Sequence, residues 1–144
     1  MSRKRSQARS HATQAVYQWQ VTGQNVADII NDFLNEQNTA KFELDYFRDL
    51  VSGVPAQLTE LDDALSPLLD RPVEEVDLVE RAILRLGAYE LYKHPEVPYR
   101  VVINEFVELS KVYGADQGHK YVNGVLDKLA RKFRQLEVAA GKKA

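Results

Sequence analysis

The residues best equipped to do chemistry stand at the very start of the chain. Arg3, Lys4, Arg5 and Arg9 crowd nine positions that contain no acid, and the stretch that follows, ATQAVYQWQV, has the apolar spacing of a helix. A helix start carries positive partial charge, so each nearby cation costs about 0.3–1 kcal/mol. Such a cluster is either a solvated tail or the seat of something anionic. At about 100° per residue, Ala12 and Trp19 centre the apolar stripe of this helix. Arg9, Thr13 and Tyr17 then fall on a neighbouring row, with Tyr17 almost opposite Trp19. A guanidinium and an outward ring on one row suit single-stranded nucleic acid: the cation meets phosphate, and the ring offers a stacking surface worth ~1–3 kcal/mol per base. Alternatively, Tyr17 packs on another helix and the cations are an ordinary tail. This segment alone leaves both open.

Two further clusters bear on binding. Lys120 and Tyr121 repeat the cation–aromatic pairing just inside a helix start, whose free N–H groups favour an anion. Tyr121 has Val122 and Val125 as neighbours and is equally a core residue, while Lys128, Arg131, Lys132 and Arg134 spread around the helix as a solvated face. Glu74, Glu75, Asp77 and Glu80 gather at another helix start, where the dipole welcomes negative charge. Capping accounts for two of them; the surplus either faces water or receives a basic partner. The whole chain amplifies this contrast. Residues 1–27 carry net +4, residues 28–96 net −10 and residues 97–144 net +4, which suits an anionic ligand and a cationic partner on different faces.

No catalytic constellation accompanies these clusters. The chain has no cysteine, hence no thiol nucleophile, zinc ribbon or disulfide framework. His11, His94 and His119 lie in separate segments, and no metal-binding histidine pair, nucleophile elbow, phosphate loop or dinucleotide fingerprint is present. The residues therefore predict no enzyme, no cofactor and no metal. No apolar run approaches the ~18–20 residues that cross a bilayer, and the basic start leads into an amphipathic stretch rather than a signal core. A reducing cytoplasm is the simplest home.

The elements that must position these residues are helical. Gly23 ends the first helix, and Val26, Ile29, Ile30, Phe33 and Leu34 make a short second one. A third, from about Glu43 to Leu65, contains Pro55 and is expected to kink there. Asp77 and Glu80 form a capping pattern for a helix buried through Val79, Ala82, Ile83 and Leu86. Pro98 opens the next, with Val102, Phe106, Leu109 and Tyr113 as its apolar stripe and Gly114 as C-cap. Asp116 caps the last, which carries Val122 to Leu136, and the terminal GKKA is expected to fray. Nothing alternates with period two, so the expected class is all-α, with residues 1–138 as one domain and 139–144 as a frayed tail.

In order and spacing, several pieces of the chain resemble the NusB family of bacterial transcription antitermination factors. They are Ala8-Arg9, Gln14-Ala15-Val16-Tyr17, Phe47 to Val54, Val79 to Arg85, Ala88 to Leu91 and, most specific, VPYRVVINEFVELSKVYGADQGHKYVNGVLDK from Val97 to Lys128. The resemblance implies about seven helices in two small bundles. It also implies binding to boxA in nascent RNA together with the ribosomal protein NusE, helping the RNA polymerase elongation complex resist termination, notably on ribosomal RNA operons. By position it carries RNA contact to Arg9 and Tyr17, to Arg5 with Arg3 and Lys4 beside it, and to Lys120 and Tyr121, where relatives carry Lys-Phe. Ser6, Gln7 and Ser10 depart from the family's arginine-rich opening. Glu80 matches an acid on the partner-facing helix, and Glu74 is a looser match. Two rivals stand beside this reading. One is a helical accessory domain of an RNA methyltransferase, for which no residues remain to build a methyl-donor domain. The other is a helical protein-binding adaptor that never touches RNA.

Overall fold

The computed structural model describes residues 3–113 and 118–143. Among the described residues eight α-helices follow in order: α1 (Arg3–Thr22), α2 (Val26–Glu36), α3 (Leu44–Ala56), α4 (Leu58–Leu65), α5 (Leu78–Lys93), α6 (Tyr99–Tyr113), α7 (Gly118–Phe133) and α8 (Gln135–Lys143). Short 3-10 turns at Thr39–Lys41, Ser66–Leu68 and Val73–Glu75 join them, and no strand occurs among the described residues.

Local chemistry explains most boundaries. Gly23 closes α1 in the left-handed region, at φ 67°, where a β-carbon would be strained. Asn25 caps α2 by accepting from the Ala27 N–H at 2.8 Å. The Asp77 carboxylate accepts from the Val79 and Glu80 N–H groups at 3.1 and 3.2 Å, as the capping pattern predicts. The expected long third helix is two helices. Pro55 withdraws a ladder donor in the last turn of α3, and Gln57 leaves helical geometry (φ −110°, ψ 20°) before α4 begins. The expected caps at Gly114 and Asp116 lie outside the described residues.

Helix α5 is the shared axis of the fold. It packs on α1, α3, α4, α6 and α7, and every residue from Ala82 to Leu91 is buried. A helix covered on all sides needs no polar face. One apolar core runs through both halves, from Ala8 to Val138. Gly53 of α3 sits against Tyr89 of α5 so closely that a β-carbon there would collide with the ring, and the Tyr89 hydroxyl donates to Asp49 at 2.9 Å.

Arg134 and Glu137 tie the C-terminal segment to the rest of the fold. Arg134, expected on a solvated face, is buried, and donates to the carbonyls of Leu91 at 2.7 Å, His94 at 2.8 Å and Val97 at 2.9 Å. It thereby serves carbonyl groups at and just beyond the end of α5, where the helix has no partners of its own. Glu137 of α8 holds Arg134 through one oxygen at 2.7 Å and accepts the Tyr99 N–H that opens α6 through the other at 2.8 Å. Helix α8 runs to Lys143.

His94, at the end of α5, bridges Asp49 (2.5 Å) and Glu96 (2.8 Å). Burial opposes a proton on its ring, but hydrogen bonds and charge from the two carboxylates outweigh that and raise its pKa above 6.5. Its stabilising effect is therefore complete below the unfolded value of about 6.5 and lost as pH rises through the higher folded value. His11 has the opposite sign, burial lowering its pKa. Urea unfolding of wild type should show this stability falling from pH 6.5 upward, and His94→Gln should flatten that limb. An unchanged slope in the variant would refute the assignment to His94.

Candidate nucleic-acid interface

Helix α1 sorts the opening cations into two kinds. Arg9 is fully buried. Its Nε donates to Glu90 Oε1 at 2.9 Å, Nη2 to Glu90 Oε2 at 2.5 Å and Nη1 to Glu105 Oε1 at 2.7 Å. The Tyr46 hydroxyl donates to Glu90 at 2.7 Å, and Ser6 donates to Glu105. Burial opposes the charge on Arg9, but the Glu90 bonds and the surrounding carboxylates more than restore it. Burial and the Glu90 carboxylate push the Tyr46 phenol up, so it stays protonated and donating. The expectation that Arg9 contacts phosphate is therefore corrected: its donors are spent inside the fold, and Thr13, on the same row, is buried and bonded to the Arg9 carbonyl at 2.9 Å.

The other cations lie further out. Arg5 is half-buried, forked onto Glu43 at 2.9 and 3.1 Å, with its guanidinium 4.2 Å from the centre of the Tyr46 ring. Arg3 and Lys4 are exposed and hold no ion pair among the described residues. Arg3 belongs to an outward row on which Arg3, Gln7, Ser10, Gln14, Tyr17 and Val21 recur at three and four, and Lys4 stands beside its start. Tyr17 retains 39% of its surface. It does not seal itself inside the bundle.

Beside Tyr17 the structure places the ring of Tyr113, whose spacing predicts a place in the apolar stripe of α6. Tyr113, the last residue of α6, has its hydroxyl 2.7 Å from Ser10 Oγ and receives the Gln14 amide at 2.8 Å. Thr13, Gln14, Tyr17, Val79 and Tyr113 line one groove of about 220 Å³. An apolar groove with two phenol rings can take a base between or against them. The available signal was the serine and glutamine on the outward row of α1, which supply polar partners for a tyrosine of another helix.

Lys120 and Tyr121 lie elsewhere. Lys120 is exposed; Tyr121 is half-buried, its hydroxyl accepting the Asp70 N–H at 3.3 Å and the Arg71 guanidinium 5.7 Å from its ring centre. They line a second groove with Pro67, Leu68, Leu69 and Lys128, and neither borders the Tyr17 groove. Of the partner-facing acids, Glu74 is exposed, its backbone carbonyl taking a hydrogen bond from Arg81 at 2.6 Å. Glu80 is half-buried and lies against Gly118 at the start of α7, so closely that a β-carbon on Gly118 would strike its carboxylate. Burial and the nearby Asp77 charge push the Glu80 carboxyl up. Among the described residues no group of three metal-ligating side chains is assembled, and no helix is long and apolar enough to cross a membrane.

Comparison with known proteins decides the family. The model of the NusB family matches residues 6–131. The chain is 53% identical over 137 residues to the transcription antitermination protein NusB of Nitrosococcus oceani, covering 95% of this chain and 92% of that protein. This chain belongs to the NusB family. The NusB of Alcanivorax borkumensis is 56% identical over 135 residues, covering 94% and 90% of the two chains. Among solved structures, the crystal structure of antitermination factors NusB and NusE in complex with double-stranded RNA matches with a TM-score of 0.81. Its identity is 28%, and the match covers 92% of this chain and 99% of that one. Thermotoga maritima NusB matches with a TM-score of 0.78 at 27% identity, covering 91% and 93%. The all-α expectation thus holds, as does the family resemblance, and these relatives are named for transcription antitermination rather than for a catalysed reaction.

Removing Glu90's charge should expose how far the NusB-family fold here leans on the Arg9 cluster. Glu90→Gln leaves a buried guanidinium short of its main counter-ion and should cost about 3–5 kcal/mol in urea unfolding. A loss below about 1 kcal/mol, the range of surface pairs, would show that the cluster is dispensable.

Proposed function

We propose that this NusB-family chain is an RNA-binding transcription antitermination factor that holds boxA RNA together with the ribosomal protein NusE. In this role it helps RNA polymerase resist termination, notably on ribosomal RNA operons, and works in the cytoplasm. One observation carries the RNA half: the outward row of α1 begins at Arg3, with exposed Lys4 beside it and neither in an ion pair among the described residues, and reaches Tyr17 at the Tyr113 groove. Arg3 and Lys4 meet phosphates, with Arg5 supporting from the flank while shared with Glu43. Tyr17 stacks on a base, and Lys120 with Tyr121 provides a second contact at the start of α7. Arg9 is a positioning residue that holds α1 in the rotation that turns Tyr17 outward. The acid-rich surface that includes Glu74 and Glu80 receives NusE, a partner that the solved complex of related NusB contains.

Filter binding of a short boxA-like RNA, with and without NusE, tests the reading. Three phosphate contacts on a single strand, from Arg3, Lys4 and Lys120, give a log–log salt slope near −2.1, hence roughly 20-fold weaker binding between 50 and 200 mM salt. A flat response would remove the electrostatic half, and no RNA binding at all would leave only a protein-binding adaptor. Tyr17→Ala should lose ~1–3 kcal/mol of RNA affinity while Tyr17→Phe stays near wild type, because the ring stacks. Equal losses would shift the role to the hydroxyl.

For the protein partner, Glu74→Lys should weaken NusE capture with an unchanged circular dichroism spectrum, since Glu74 is exposed. Undiminished capture would take Glu74 out of the interface.

A further inference from the structure

A groove beyond the outward row of α1 carries an inference that rests on the RNA reading above. It lies between the start of α1 and the connection from α2 to α3, has a volume of about 720 Å³, and is lined by Arg3, Lys4, Gln7, His11, Gln37, Asn38, Ala40 and Lys41. Three of these eight are cations, three are amides and none is a carboxylate. Arg3, Lys4 and Lys41 are exposed and form no ion pair among the described residues. Asn38 uses its carbonyl oxygen to cap the 3-10 turn at Thr39–Lys41, accepting from the Ala40 N–H at 3.1 Å, which leaves its amide N–H groups as donors. His11, nine-tenths buried, stands at the groove with Nε2 3.3 Å from the Gln7 amide nitrogen, and its buried Nδ1 has no hydrogen-bond partner.

The two sides of Arg3 and Gln7 differ in charge. On the other side, the same two residues share a groove with Glu105 and Glu108. That lining holds two carboxylates and two guanidiniums, Arg3 and Arg9, and Arg9 is already committed to Glu90 and Glu105. Glu108 is met by Lys111 on its own helix. A phosphodiester chain lying on the row from Tyr17 to Arg3 therefore meets carboxylates on one side of the row's end and, on the other, a lining with cations and no carboxylate. Arg3 and Gln7 belong both to the row and to the basic groove, so the path is continuous.

We propose that nucleotides flanking the boxA segment leave α1 through this groove, with Lys41 contacting their phosphates and the amides of Gln37 and Asn38 facing their bases. Single-stranded RNA is the occupant the lining favours. A protein segment would bring its own carboxylates and apolar anchors, and the groove offers only Ala40 to the latter. The outcome is a longer RNA footprint than the Tyr17 site alone requires.

The test compares three oligonucleotides in filter binding at 0.1 M salt: the short boxA-like RNA, and the same RNA extended at its 5′ or at its 3′ end. One extension should bind more tightly than the core. Lys41→Gln should weaken that extended RNA about fivefold and reduce its log–log salt slope by about 0.7, the effect of one phosphate contact on a single strand. Binding of the core should not change. Lys132→Gln, an exposed cation on α7 outside the groove, should leave all three unchanged. If the core binds but neither extension adds affinity, or if Lys41→Gln acts no differently from Lys132→Gln, the flanking track is refuted while the Tyr17 site survives. If the core itself fails to bind, the RNA reading falls and the track with it.

Discussion

The buried pairing of Arg9 with Glu90 fixes how α1 lies on the rest of the molecule. Both side chains have no exposed surface, and the contact is a two-pronged fork whose geometry admits little rotation. A shift of α1 by one residue against α5 would turn its faces by about 100° and leave a guanidinium facing apolar core. Pairs of this kind add less to net stability than their short distances suggest, because both ions must first lose their water. Their contribution here is orientation: with Arg9 turned inward, Arg3, Gln7, Ser10, Gln14 and Tyr17 are left facing out.

That orientation gives the opening cluster a division of labour. One cation, Arg9, is consumed by the fold; Arg5 is shared with Glu43 and Tyr46; Arg3 and Lys4 are left for solvent or a ligand. The dipole cost of placing four cations at a helix start is met in part by carboxylates from α5, α6 and the residue that precedes α3. Helix α5 contributes to every part of this. It supplies Glu90 to α1, Val79 to the Tyr17 groove and Glu80 to the start of α7. The surfaces proposed for RNA and for NusE are therefore built on one buried helix.

The helices were legible in the sequence because their apolar residues recur at three and four, and Gly23 and Asp77 punctuate them by well-defined chemistry. The roles of arginines were not. Arg9 and Arg134 look like surface cations in a linear reading, since a carboxylate 81 residues away or a helix end about 40 residues away leaves no local trace. Tyr113 was hidden for the opposite reason: it continues an apolar stripe, and only the fold reveals that its hydroxyl reaches Ser10 and Gln14. Tyr17 was readable because a helix cannot bury both it and a residue nearly opposite. The break at Gln57 was half readable, since Pro55 announces a disturbance without saying whether the chain bends or separates into two helices.

The clamp formed by Arg134 has a bearing on how the molecule comes into being. Helix α5 is the axis on which both halves close, yet carbonyl groups at and beyond its end are satisfied by a guanidinium that follows them by about 40 residues. During synthesis those carbonyls are held by water until α7 has emerged and swung its end back across them. The axis shared by both halves is therefore sealed only once α7 and Arg134 have followed it.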